Sequence, residues 1–260
     1  TCIDEGPSGP WGETALSGST DRTFGSLFTG IGAADYGLEQ AGWSCRWQTE
    51  PDPFRRAVLD AHWPGLQRFW DVKDRTAAAP GPHVDLVYGE LPDTNPAWWD
   101  EIFALVETLK TPLWLLEASP IRFGAAEQAE LRGRFSALGY HAAARSVGFA
   151  GRMRGHVGPQ EIVCTLKRQR LFLVAGPPFV MGFTELRPDD GRRSQALAPL
   201  FQDRPVLEEV EALLGLPMGW SCLCASSPCR CEGRPLAVDE ATVVHLLAWI
   251  GRWLRDSFTP

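Results

Sequence analysis

The stretch TFGSLFTGIGAADYGLEQAG, Thr23 to Gly42, joins a short apolar run to an amphipathic one through a turn that carries two glycines. Thr23 to Phe28 has strand character, Ala33 to Ala41 has helical periodicity, and Gly42 stops the helix. The same alternation continues outward. Ser44 to Thr49 and Arg68 to Trp70 are expected as strands, with a helix over Pro53 to His62 between them. Val84 to Tyr88 and Leu113 to Glu117 have the continuous apolar character of buried parallel strands, separated by a helix over Trp98 to Leu109. Arg170 to Ala175 closes the series. The pattern predicts a doubly wound α/β domain, in which ligands sit outside the carboxyl ends of the strands. Gly176 to Asp203, rich in Pro, Gly and Arg, is expected to be irregular, and helices are expected over Val206 to Leu214 and Val238 to Leu254.

With 44% hydrophobic and 22% charged residues, the 260-residue chain falls in the range of a packed globular protein rather than a disordered one. No apolar run reaches the roughly 18 to 20 residues of a membrane helix, and the polar opening has no signal-peptide plan, so a soluble cytoplasmic protein is expected. The net charge of −7 argues against a general nucleic-acid binder, but the charge is unevenly spread. Arg132, Arg134, Arg145, Arg152, Arg154, Lys167, Arg168 and Arg170 face a single acid, Glu161, within one segment. Such an asymmetry is the footprint of an anionic partner, or of a solvated basic face paired with acids elsewhere in the fold.

Three strand ends offer polar groups to a nucleotide-like ligand. Phe28, Gly30 and Gly32 form a loop whose backbone can approach a ligand at a helix N-terminus. Glu50 ends the second strand, where a carboxylate can accept both hydroxyls of a ribose. Asp71 and Val72 follow the third, where a carboxylate and the next amide can read an adenine edge. Separately, Cys222, Cys224, Cys229 and Cys231 lie in CLCASSPCRC, where four thiolates within ten residues can converge on a structural zinc. Free thiols and disulfides are the alternatives this spacing leaves open.

In the order of its motifs the sequence resembles the DNA cytosine carbon-5 methyltransferases. The likeness covers the FxGxG loop, the acidic end of strand two, the Asp after strand three, a Gly-x-x-Pro turn at Gly89 to Pro92, a Glu-led triplet at Glu117, and Arg168-x-Arg170-x-Phe172. The segments Val210 to Trp220 and Ala237 to Leu254 are similar to that family's closing motifs. The resemblance implies a Rossmann-like, S-adenosylmethionine-dependent methyltransferase fold with the cofactor on Phe28, Gly30, Gly32, Glu50, Asp71 and Val72, and DNA in the opposite cleft. It also implies a catalytic site with Glu117 on the cytosine's N3 edge and with Arg168 and Arg170 beside it.

The sequence departs from that pattern where the chemistry is hardest. The family's Pro-Cys becomes Pro92-Asp93, and a carboxylate is a far weaker nucleophile than a thiolate toward carbon 6 of cytosine. If Asp93 and Glu117 share a site, their repulsion lets them hold one proton between them. Leu166 replaces the family's Gln, and Pro235-Leu236 its Gly-Asn. Few residues separate Ala175 from the closing motifs, so a full target-recognition domain has no room. The expected organisation is a leader over 1–21, a methyltransferase-like domain over 22–175, a reduced target-recognition region over 176–203 and a C-terminal return over 204–260. Three readings follow: a non-catalytic DNA-binding or partner-activating homologue, a nucleobase-modifying enzyme with a non-thiolate route, and an ordinary methyltransferase altered by Cys→Asp replacement.

Overall fold

The computed structural model describes residues 22–77, 83–91, 97–120, 123–157, 160–185, 211, 216–217, 220–223 and 244–258, with the backbone alone at 75–77, 97, 149–157 and 160–168. Seven strands form one sheet in the order β3-β2-β1-β4-β5-β7-β6. They are β1 (Arg22–Leu27), β2 (Trp43–Thr49), β3 (Gln67–Phe69), β4 (Leu86–Glu90), β5 (Leu113–Ala118), β6 (His141–Val157) and β7 (Gln160–Gly176). The helices are α1 (Ala33–Gln40), α2 (Pro53–His62), α3 (Val72–Ala77), α4 (Ala97–Leu109), α5 (Ala125–Ala137) and α6 (Val244–Ser257).

β1 to β5 are parallel, whereas β7 runs antiparallel between β5 and β6. The expected closing strand at Arg170 to Ala175 is therefore the inner end of a 17-residue antiparallel strand, not a further parallel one. Its partner β6, and helices α3 and α5, lie where the sequence pattern predicts no element. Pro178–Thr184 forms a 3-10 helix inside the segment expected to be irregular. Of the expected helix over Val206 to Leu214 only Glu211 is described, in helical conformation.

Both sheet faces are covered, as the apolar runs of β4 and β5 require. On one face Phe24, Tyr88, Leu115 and Phe172 pack with α1 and α6 residues including Leu38, Leu247 and Ile250. On the other, Val87, Trp114, Leu116 and Leu173 pack with Phe103 and Phe135 from α4 and α5. The helices α1 and α6 approach closely through one small residue each. A Cβ on Gly37 would stand 2.7 Å from the Val244 carbonyl oxygen, and one on Gly251 2.9 Å from the Ala41 Cβ. Trp43 Nε1 donates to the Gly251 carbonyl at 2.9 Å and fixes this approach. No helix among the described residues is long and apolar enough to cross a membrane.

Candidate functional site

The glycine loop and Glu50 form one hydrogen-bonded unit. Phe28, Gly30 and Gly32 have φ of 53°, 62° and 78°. The Gly30 amide donates to Glu50 Oε2 at 2.7 Å, and the Asp52 amide donates to Oε1 at 2.9 Å. Gly32 serves the fold as well, because a Cβ there would lie 2.4 Å from the Trp63 ring. Gly30 is different: among the described residues a Cβ on it would meet nothing within 4 Å.

Glu50 is 3% exposed, and burial pushes its pKa up while the Asp52 and Gly30 amides pull it down. A carboxylate offers about four acceptor positions, so two amide bonds leave capacity for a vicinal diol. This loop and this carboxylate fit the ribose side of S-adenosylmethionine, which when bound supplies an electrophilic methyl group.

Asp71 stands beside this unit, since the Glu50 amide donates to the Phe69 carbonyl at 3.1 Å. Its Oδ1 accepts the Lys73 amide at 3.0 Å, which makes it also the N-terminal cap of α3. Val72 turns its side chain into the core. Arg56 ties the two strand ends together, donating through Nη1 to the carbonyls of Glu50 at 3.2 Å and Phe69 at 2.9 Å. Its guanidinium lies 3.9 Å from the ring centroid of Trp70, which is 54% exposed. The sequence reading gives no role to Arg56 or Trp70, although an exposed Trp beside the expected adenine-edge carboxylate is a usable signal. Trp98, from α4, meets Phe28 edge-on at 5.4 Å, and Trp99 meets Phe123 at 5.3 Å.

The C-terminal return reaches the loop through Trp220. Its indole N–H donates to the Ile31 carbonyl at 2.8 Å, and its ring stacks on His62 at 3.5 Å. His62 Nε2 lies 2.7 Å from the Trp220 carbonyl, so that nitrogen carries the proton; burial lowers the His62 pKa. The buried Glu211 closes the segment by accepting the Ser221 amide at 2.9 Å.

Beneath the loop lies a third carboxylate, Asp35, with no exposed surface. Gln48 Nε2 donates to its Oδ2 at 2.7 Å, and Arg68 Nε donates to Gln48 Oε1 at 2.8 Å. Burial pushes the Asp35 pKa up to about 7 against the opposing bonds from Ser26 and Gln48. Burial raises the pKa of nearby Glu39 as well.

At the carboxyl ends of β4 and β5 the arrangement differs. Glu117 is 0% exposed. Tyr88 O–H donates to its Oε2 at 2.8 Å, and Arg170 Nε lies 2.9 Å from its Oε1. Arg170 Nη2 is 3.9 Å from Glu90 Oε1. Burial works against the charge on Arg170, but Glu117 and Glu90 overcome it and raise its pKa. The structure thus brings Glu117 and Arg170 together as a buried ion pair. Asp93 lies outside the described residues. Arg168 is placed only by register, opposite Phe149. Cys222 is half-buried, and Cys224, Cys229 and Cys231 lie outside the described residues. Among the described residues no group of three or more His, Cys, Asp or Glu could hold a metal.

The strand order, with an antiparallel β7 between β5 and β6, is that of a Rossmann-like methyltransferase fold. Among solved structures the chain is similar to the Dnmt2 methyltransferase of S. pombe, with a TM-score of 0.59 and 12% identity over 91% of this chain and 100% of that one. A prophage-encoded E. coli protein assigned as a DNA modification methyltransferase aligns with a TM-score of 0.45 and 15% identity; the match covers 74% of this chain and 54% of that protein. No protein-family model matches the sequence, and no curated protein matches it.

Proposed function

We propose that the chain is a DNA cytosine-5 methyltransferase-like protein that binds S-adenosylmethionine beside Gly30 and Glu50, binds DNA, and acts as a non-catalytic subunit. The observation that carries the non-catalytic part is Glu117. The carboxylate that the sequence resemblance assigns to the cytosine edge has no exposed surface and is held by Tyr88 and Arg170. A base could reach it only after one of these partners moved. The sequence adds Asp93 at the nucleophile's position, which removes the thiolate route. In this reading 22–175 and 204–260 build the methyltransferase body, 176–203 is a reduced target-recognition region, and a partner chain supplies specificity or catalysis. The four cysteines at 222–231 serve a structural zinc, and elemental analysis should find close to one zinc per chain.

A second reading, an active enzyme with a non-thiolate route, is favoured by one specific observation. The Gly30 and Glu50 unit keeps acceptor capacity for a methyl donor, for which a subunit that transfers no methyl group has no chemical use.

Mass spectrometry of nucleosides from DNA incubated with protein and S-adenosylmethionine separates the two. The non-catalytic reading expects no modified base, together with binding of S-adenosylhomocysteine in calorimetry. Any modified base would establish the second reading. DNA containing 5-fluorocytosine should form no covalent adduct with the protein, whereas an adduct would mean that a nucleophile other than the missing thiolate attacks carbon 6.

A further inference from the structure

β7 pairs with β5 only from Ala175 to Leu171, opposite Trp114 to Ala118. From Val147↔Arg170 to Val157↔Gln160 the hairpin continues for eleven residue pairs, and among the described residues neither strand pairs with a third. At about 3.3 Å per residue this two-stranded ribbon extends roughly 35 Å past the sheet. Paired residues in an antiparallel ribbon share a face, and successive pairs alternate between the two faces. One face therefore carries Ala150↔Lys167, Arg152↔Thr165 and Arg154↔Val163, with His156↔Glu161 at the tip. The other carries Phe149↔Arg168, Gly151↔Leu166, Met153↔Cys164 and Gly155↔Ile162.

The ribbon from 147 to 170 has five basic residues (Arg152, Arg154, Lys167, Arg168 and Arg170) and one acid (Glu161), or +4, while the rest of the chain carries −7 − 4 = −11. The arm is thus the cationic part of an anionic protein, and three of its cations lie in consecutive pairs on one face. Such a distribution keeps polyanions away from the body and draws them to the arm. A two-stranded ribbon also fits the B-DNA major groove, about 12 Å wide, whereas the A-form major groove of duplex RNA is too narrow for it. Arg152 and Arg154 stand about 6.7 Å apart along the strand, close to two base-pair steps of about 3.4 Å.

We propose that the face bearing Arg152, Arg154 and Lys167 is a duplex-DNA docking surface that replaces an inserted recognition domain. This rests on the DNA-binding part of the proposed function and assigns it to an element.

Fluorescence anisotropy with a 30-bp duplex at several salt concentrations tests it. The triple variant Arg152→Ala, Arg154→Ala, Lys167→Ala should bind about tenfold or more weakly and should lower the salt slope by about 2 to 3, near 0.9 for each phosphate that is no longer neutralised. A control with the same charge change on exposed residues elsewhere, Arg46→Ala, Arg132→Ala, Arg252→Ala, should keep the slope. Arg152→Lys with Arg154→Lys should keep it too, and S-adenosylhomocysteine binding should be unchanged in all variants, which reports folding. Wild-type binding that the ribbon variant leaves intact, or that both triple variants weaken equally, overturns the proposal while leaving DNA binding standing. Wild type that binds no duplex DNA at any salt removes the DNA reading itself. Tighter binding of duplex RNA would replace B-DNA as the partner.

Discussion

Glu50 and Glu117 both stand at the carboxyl ends of parallel strands and both are buried, but they are held by different kinds of partner. Glu50 is held by two neutral backbone amides, one from the loop in front of it. Glu117 is held by a tyrosine hydroxyl and a guanidinium. Burial pushes the Glu50 pKa up, and the two amides and the nearby Arg55 oppose it only in part; burial does the same for Asp35 and Glu39 in the same half of the molecule. The guanidinium cancels the charge of Glu117, and the two carboxylates beside it raise the pKa of Arg170 in return. One carboxylate thus keeps acceptor capacity beyond its amide partners, and the other is paired with a guanidinium. Site-like residue types at site-like positions do not make a site until their partners are known.

The strongest way to break the contrast is to remove the guanidinium. Arg170→Met takes the guanidinium away from the buried Glu117 and should lower the unfolding free energy by about 3 to 5 kcal/mol in a denaturant titration. Adding Glu117→Gln should recover most of it. A loss under about 1 kcal/mol would mean that Glu117 does not depend on the pair.

The acidic half should respond to pH. Asp35 has a folded pKa of about 7 against the ordinary 3.8. Below about pH 4 both folded and unfolded states are protonated, and its contribution is fully present. As pH rises the unfolded chain ionises first, so stability is lost progressively and is gone once pH passes about 7. At about 1.4 kcal/mol per pKa unit the loss is a few kcal/mol. Denaturation midpoints at pH 5 and pH 8 should therefore differ more for wild type than for Asp35→Asn. Equal pH dependence in the two proteins would remove Asp35 from the account.

Smaller effects sharpen the cofactor side. Glu50→Ala should weaken S-adenosylhomocysteine binding by about 1.5 to 3 kcal/mol in calorimetry, the range for hydrogen bonds to a charged group. Titration curves that coincide with wild type would take Glu50 out of the site. Trp220→Phe keeps an aromatic ring on His62 but loses the bond to the Ile31 carbonyl, and should cost about 0.5 to 1.5 kcal/mol of stability. No change would mean that the C-terminal return does not hold the loop.

The first half of the fold was legible in the sequence because β1, α1, β2 and α2 are each decided locally, by an apolar run, a period of 3.6 or a stop at Gly42. The ribbon was not. Its β6 strand does alternate, with Val147, Phe149, Met153 and Val157 on one parity and Arg152, Arg154 and His156 on the other, but Gly151 and Gly155 interrupt the apolar series. Its basic character was legible, its shape was not. The residues proposed for the cofactor side could be named from the sequence because each follows its own strand. The enclosure of Glu117 was not legible, because Tyr88 and Arg170 come from other strands and are brought to it only by the pairing of β4, β5 and β7.

The close fit of α6 on α1 has a consequence for how the protein is made. Arg22 Nη2 donates to the Phe258 carbonyl at 2.7 Å, and its guanidinium sits 4.6 Å from the ring centroid of Phe258, so the two ends of the described fold are fastened to each other. A nascent chain emerging from the ribosome would have its first strand and helix long before the helix that covers them. Until Val244 and the residues after it were synthesised, Phe24, Leu38 and Trp43 would lack that cover and would be open to chaperones. Completion of this side of the protein therefore waits until α6 has been synthesised.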